Sequence, residues 1–354
     1  MPARTFHVAG AAPAASLSTL VDGLAAALER TGFRRGDDDP DLVLNVGDTD
    51  APRPFRRHSR GTFVAALHVS ETAPLDPLRT GYPILVRALA NIALTYVPGV
   101  GVWFTTLERG SYLVPENGDF ANRVIERLEP LASARLVIEN EFRTDLERDL
   151  WAGDAHTGHI AAAGRRLDAA GLLPTPFPIE ELVDERDLRH VRRLYGIGGL
   201  SYGNLSARKD DTRFWMSASG VDKGKLDTPG RDILLVSDYN ADAGAMVLSV
   251  PPEVEPRRVS VDAIEHWRIY NSRPGVGAIL HVHAWVDGIA ATDVNFPCGT
   301  EELAYSVAAL IDAEPEPDHA VVGLRNHGIT ATGSTLEEIL DRIEPRLLTH
   351  IPMT

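Results

Sequence analysis

Cysteine is nearly absent: the 354-residue sequence has one, Cys298. A single thiol excludes an intrachain disulfide framework and any cysteine-rich zinc module, and it fits a reducing, cytoplasmic setting. Basic residues are in deficit, 35 against 50 acidic ones, for a formal charge of −15. That balance argues against a nucleic-acid partner, because phosphate contacts need a basic footprint. No stretch approaches the roughly 18 apolar residues of a membrane span, so no membrane partner is expected. The start, Met1-Pro2-Ala3-Arg4-Thr5, lacks the continuous apolar stretch of a signal peptide. There is no internal repeat. Neither GxGxxG nor GxxxxGK[ST] occurs in the first 150 residues, so nothing there supports a phosphate cradle.

What remains is an ordinary globular composition, 44% apolar and 24% charged. Its length suits two domains of roughly 150 residues each. The first 146 residues read as alternating strands and helices, an α/β layered domain without an assigned role. Strands are expected at 6–10, 42–46, 62–69, 100–106 and 135–139. Ser16 is expected to cap a helix carrying Leu17, Leu20, Val21, Leu24 and Leu28 at helical spacing. Pro83 is expected to open a second helix running to about Thr95, and residues 117–131 a third. Arg53, Arg56, Arg57 and Arg60 read as a solvated loop, with an anion site as the alternative. The domain boundary is placed at 146/147, where the pattern changes. A helix over 160–170, a proline-rich stretch at 173–178 and a charged helix at 179–195 then follow.

The sharpest chemical signal is Ile279-Leu280-His281-Val282-His283-Ala284. On a strand, residues two apart share a face, so both imidazoles would point together. They are either hydrogen-bonded core histidines or ligands of a shared metal. His327 follows the strand-like Ala320–Leu324 in Arg325-Asn326-His327-Gly328, where a cleft normally opens. Three histidines that leave coordination positions open make a catalytic rather than structural metal site. Zn²⁺ suits imidazole best; Mn²⁺, Co²⁺ and Fe²⁺ are alternatives. Upstream, Ser260 is expected to cap a helix that carries Asp262 in its first turn and Glu265 a turn further on. Asp262 there either complements the helix dipole or acts as a general acid/base beside the metal. Lys223 and Cys298 each read as a loop or turn residue, or as a pocket-lining group.

These pieces together resemble the class II aldolase/adducin family over about residues 152–344. Ser201-Tyr202-Gly203-Asn204-Leu205-Ser206-Ala207-Arg208 is similar to its glycine–asparagine loop, and Met216-Ser217-Ala218-Ser219-Gly220-Val221 to its serine–glycine loop. His281-Val282-His283 and Asn326-His327-Gly328 resemble its metal triad, and Gly299-Thr300-Glu301-Glu302-Leu303-Ala304 its helix start. The resemblance implies an α/β/α domain around a mainly antiparallel sheet, spanning 147–354 with an insertion at 172–197. It implies a metal-dependent lyase acting on a small hydroxy-carbonyl substrate, phosphorylated or not, through a metal-stabilised enediolate. His281, His283 and His327 would be the ligands, Asp262 the catalytic carboxylate, and Gly203, Asn204, Ser219, Gly220 and Ser260 the substrate pocket. It also implies a homo-oligomer, tetrameric in the family.

The chain departs from the family pattern in several places. Aspartate stands where the family usually has glutamate, and Ser260-Val261 replaces a serine pair. The regions that supply an acid tyrosine in family aldolases and epimerases are missing. Three alternatives therefore stand beside the lyase. The three-histidine site could serve an iron-dependent oxygenase, a decarboxylase or an epimerase. The domain could be a non-catalytic adducin-like module. Or the first domain could read a ligand while the second acts as an oligomerising scaffold.

Overall fold

The computed structural model describes residues 4–56, 62–106, 110–172, 181, 183–189 and 203–354. The chain divides into two units, one of Met1–Ser133, Ile179–Tyr195 and Met353–Thr354, the other of Ala134–Pro178 and Gly196–Pro352.

The first unit is a seven-stranded sheet of β1 (Thr5–Gly10), β2 (Arg34–Arg35), β3 (Leu42–Val46), β4 (Phe63–Val69), β5 (Ile92–Val97), β6 (Gly101–Thr106) and β7 (Ser111–Pro115), in the order β2-β1-β3-β4-β5-β6-β7. Neighbours are parallel from β2 through β5, and β6 and β7 add on antiparallel. Every residue of β3 and β5 is buried, which is why both read as unbroken apolar runs rather than alternating ones. Val43, Val64 and Ala66 pack with Ile84 and Ala88 in and beside α2 (Pro77–Arg87). Helix α1 (Ala15–Arg30) buries Leu17, Leu20, Val21, Leu24 and Leu28 and lies against α3 (Phe120–Ser133).

Several details differ from the sequence reading. Helix α1 begins at Ala15 behind an Ala14 that offers no side-chain cap, so Ser16 lies inside the helix. Helix α2 begins at Pro77, with Asp76 accepting from the Arg79 N–H, and Pro83 sits in its interior. Residues 92–95, assigned to that helix from sequence, belong to β5: pairing with β4 and β6 overrides their local pattern. The strand expected at 135–139 is β8 (Glu139–Arg143), which pairs parallel with β12 (Ala245–Ser249) of the second unit. The structural division therefore falls after Ser133, ahead of the compositional change at 146/147. The proline-rich stretch and most of the 179–195 segment lie outside the described residues, as do Arg57 and Arg60; Glu185 to Arg189 are helical.

The second unit is an eight-stranded sheet in the order β14-β15-β13-β9-β10-β11-β12-β8. Its other strands are β9 (Asn204–Arg208), β10 (Phe214–Ser217), β11 (Ile233–Asn240), β13 (Ala278–Val282), β14 (Val321–Leu324) and β15 (Gly328–Gly333). All pairs are antiparallel except β12–β8. Helices cover both faces. Thr330 of β15 donates to Glu265 in α5 (Ala263–Ser272), which packs on α6 (Glu301–Ala313). Gly333, pointing the opposite way on the same strand, meets Ile339 of α7 (Leu336–Ile343), and α7 packs on α4 (Ala155–Ala169). This is an α/β/α arrangement around a mainly antiparallel sheet.

Asp154 ties a helix end to this core. Its carboxylate caps α4 through the N–H groups of His156 and Thr157, and accepts from Lys209 Nζ at 2.8 Å and Trp215 Nε1 at 3.1 Å. Burial alone would raise its pKa; the bonds from Lys209, Trp215 and Thr157 outweigh burial and hold it at about 2. A depressed carboxyl stabilises the fold above its unfolded value near 3.9, and that stabilisation is lost as pH falls towards 2. Asp154→Asn is expected to cost about 2 kcal/mol at pH 7 and to flatten the loss of stability between about pH 4 and pH 2. Urea denaturation of both proteins across that range measures it.

Candidate metal centre

Strand β13 lies between β9 and β15, with His281 opposite Asn204 on one side and Thr330 on the other. The His281 Nδ1–H donates to the Ile329 carbonyl at 3.0 Å. A carbonyl can only accept, so Nδ1 carries the proton and Nε2 presents a lone pair. His283 stands two residues on, just beyond the strand end and half-buried. Its ring therefore shares the face of His281.

His327 arrives from the tight turn between β14 and β15, whose ends pair Leu324 with Gly328. Asn326 takes a left-handed φ of 59°, a conformation asparagine tolerates, and the His327 N–H closes the turn on the Leu324 carbonyl at 3.0 Å. That turn aims the third imidazole at the other two. Ring centroids are 4.7 to 5.2 Å apart. One ring nitrogen of each lies within 4.8 Å of the others, and Nε2 of His283 and His327 are 3.0 Å apart. Burial, then the nearby His281, pushes the His327 pKa down to about 3, against the pull of Asp262. A neutral imidazole is the form that ligates. Three such donors with open positions fit a divalent cation.

Gly203 enters β9 with φ +82°, and a Cβ there would stand 2.3 Å from the His281 carbonyl oxygen. No side chain fits beside the strand that carries the first histidine. The next residue, Asn204, donates from Nδ2 to Asp262 Oδ2 at 2.8 Å. Asp262 occupies the N-cap position of α5 but makes no capping bond, because its carboxylate is turned inward to Asn204. Ser260, expected as the cap, lies two residues outside the helix. The serine–glycine loop runs alongside: Leu205 N–H donates to Ser217 Oγ, Ser260 N–H to the Ser217 carbonyl, and Ser219 N–H to the Arg258 carbonyl. Gly220 follows with φ +67°. Asn204, Asp262 and the histidines thus form one group, and Ser219, Gly220 and Ser260 sit on segments joined to it.

Several neighbours escaped the sequence reading. Ser206 Oγ lies 2.7 Å from His266 Nδ1 and 2.8 Å from the Tyr270 hydroxyl. Burial, then His281, holds the His266 pKa well below its ordinary value, so this ring stays neutral. The readable signal was the period-2 spacing of Asn204 and Ser206, which puts both on the face of His281. Cys298 Sγ is 3.4 Å from Nε2 and 3.9 Å from Nδ1 of His327. The thiol, for which a pocket-lining place was one of two readings from sequence, lies beside His327 in a turn pinned by Thr300 Oγ1 donating to the Pro297 carbonyl.

Purified protein is expected to hold about one divalent ion per chain. In a His281→Ala/His283→Ala variant the affinity should fall by more than about 100-fold, because two of three ligands are gone. Elemental analysis after dialysis against a weak chelator is the check, and equal metal content would exclude a shared metal.

Residues 189–295 match the family model described as Class II Aldolase and Adducin N-terminal domain. The matched stretch carries Asn204, Asp262, His281 and His283 and ends before His327. A methylthioribulose-1-phosphate dehydratase of Gluconacetobacter diazotrophicus is 29% identical over 139 residues, 39% of this chain and 49% of that protein. One of Pseudomonas savastanoi pv. phaseolicola is 36% identical over 95 residues, 26% and 41% of the two chains. The chain thus spans about half or less of the length of these curated relatives. Among solved structures, an L-fuculose 1-phosphate aldolase aligns at 19% identity with a TM-score of 0.38, over 55% of this chain and 82% of that one. An aldolase II superfamily protein from Pseudomonas syringae aligns at 17% and 0.37, over 57% and 75%. Residues 189–295, under a third of the chain, are thus the stretch that is similar to the class II aldolase and adducin family.

Proposed function

We propose that the second unit is a metal-dependent lyase that breaks a bond one carbon removed from the carbonyl of a small hydroxy-ketone phosphate. The observation that carries this reading is the convergence of three imidazoles beside a carboxylate already held in place by Asn204. A divalent cation on His281, His283 and His327, with zinc favoured by the donor set, would supply Lewis acidity for charge developing on the carbonyl oxygen. The chain's own groups do the rest. Asp262 takes the proton from the carbon next to the carbonyl and can return it to the departing oxygen. Asn204 fixes the direction of that carboxylate, which saves ordering it during the reaction. The backbone at Gly203 and Gly220 and the hydroxyls of Ser219 and Ser260 would receive the phosphate.

Two outcomes of such chemistry are carbon–carbon cleavage and loss of water. The dehydratase names of the relatives support the second: a proton leaves one carbon, hydroxide leaves the next, and the enol relaxes to a ketone. A small-molecule substrate and a homo-oligomeric assembly belong to the same reading.

The metal-loaded protein in deuterated buffer should exchange the proton next to the carbonyl of a ketose 1-phosphate, followed by NMR. Asp262→Asn should lower that rate by about 100-fold or more while leaving metal content unchanged. Undiminished exchange in the variant would remove Asp262 from the reaction.

A further inference from the structure

The first unit carries a row of polar side chains near the carboxyl ends of its parallel strands, where open α/β sheets collect their ligands. Asn45 and His68 are the next-to-last residues of β3 and β4. The ladders set His68 opposite Thr95 on β5, and Thr95 opposite Trp103 on β6. Alternation along each strand fixes the face they share. Val43 and Ala66, two residues from Asn45 and His68, pack with Ile84 and Ala88 at α2. Thr105, two residues from Trp103, meets the same helix: a Cβ on Gly81 would stand 2.3 Å from its Oγ1. All four side chains therefore turn to the α2 side of the sheet.

Three of the four are only partly served. Asn45 Nδ2 donates to the Arg53 carbonyl at 2.7 Å, and its Oδ1, an acceptor, has no hydrogen-bond partner. His68 Nε2 lies 2.8 Å from Thr95 Oγ1, and its Nδ1 has none. Trp103 Nε1, which can only donate, has none either. Asn45 is 3% exposed and His68 1%, so bulk solvent does not serve them. Trp103 is half-buried, and the row reaches solvent at that end. The loop of Arg53 closes the other end: the Phe55 N–H donates to the Ala88 carbonyl at 3.0 Å, and Phe55 packs on the apolar cluster beneath.

The chemistry of the row selects an uncharged ligand. Burial alone pushes the His68 pKa down to about 4, so the ring is neutral at physiological pH. An ion brought here would lose its hydration with no counter-charge to meet it. The row offers one fixed acceptor, one fixed donor and, between them, an imidazole nitrogen that serves as either by choice of tautomer. An amide or lactam edge, a carbonyl beside an N–H, matches that set. Strands about 4.8 Å apart place His68 and Trp103 roughly 10 Å apart at the backbone, a span that one small planar group bridges once both side chains reach in. We propose that the first unit carries a ligand site of its own, in which Asn45, His68 and Trp103 hold the amide or lactam edge of a small uncharged molecule. The site stands on the fold of the first unit and owes nothing to the lyase reading.

The test is an NMR titration of the isotopically labelled full chain, with the Trp103 indole N–H signal assigned by its loss in Trp103→Phe. Acetamide and uracil are the probes, and a saturable shift of that signal by either is expected. His68→Phe should weaken binding at least about tenfold, since it removes a hydrogen-bonding nitrogen from the site. Should His68→Phe not fold, Asn45→Leu carries the same expectation. Acetate, the charged counterpart of acetamide, should leave the signal unmoved. A flat titration with both probes would show water alone serving these atoms and overturn the site. Unchanged affinity in the variant would overturn the assignment of its residues, and acetate binding as tightly as acetamide would overturn the uncharged class.

Discussion

Strand β13 can sit in one register, and the centre follows from it. All five of its residues are buried, with α5 on one side of the sheet and α7 on the other. A slip by one residue would turn His281 and His283 to the α7 face and send Ile279 and Leu280 to the wrong sides. The antiparallel pairing to β9 and β15 forbids that slip, and it also chooses the neighbours of the first histidine. Asn204 and Thr330 are opposite His281 because the ladders put them there. Each then engages α5, Asn204 through Asp262 and Thr330 through Glu265. The helix is thereby registered against the sheet by polar contacts as well as by packing.

Charge is handled sparingly in this interior. The imidazoles of His266 and His327 are held neutral by burial, and Tyr270 is held protonated, its pKa raised by the same cause. Arg208 lays its guanidinium over the Tyr270 ring at 4.6 Å and spends its hydrogen bonds on the carbonyls of Tyr270, Arg273 and Val276. A low-dielectric region with few fixed charges strengthens every remaining electrostatic contact. It favours a site whose dipoles are set before a reaction begins rather than reorganised during it.

The histidines were legible because a strand converts alternate positions into one face and a His-Gly at a strand end marks a turn; nothing more than spacing was needed. Asp262 was legible from its distance to His281, yet its posture was not. A local rule gave Ser260 the helix cap, and the competing attraction of Asn204, fifty-eight positions away, lies beyond any local rule. Ser206, His266 and Tyr270 stayed hidden for a similar reason, since each reads as ordinary helix or strand filling until the ladders bring them together. In the first unit, helix α1 and the buried strands followed from periodicity. Residues 92–95 did not, because their helix-compatible pattern is overruled by two flanking strands.

Strand β8 gives the division between the units a practical meaning. It is laid parallel along β12 over five consecutive residue pairs, with Leu136 bridged to Thr300 just before it. Cutting the chain where its composition changes would leave β12 as a bare edge, its row of amide and carbonyl groups open to any strand that came by. The segment ahead of the apparent border is therefore the selvedge of the second sheet, the strip that keeps its weave from catching on other chains.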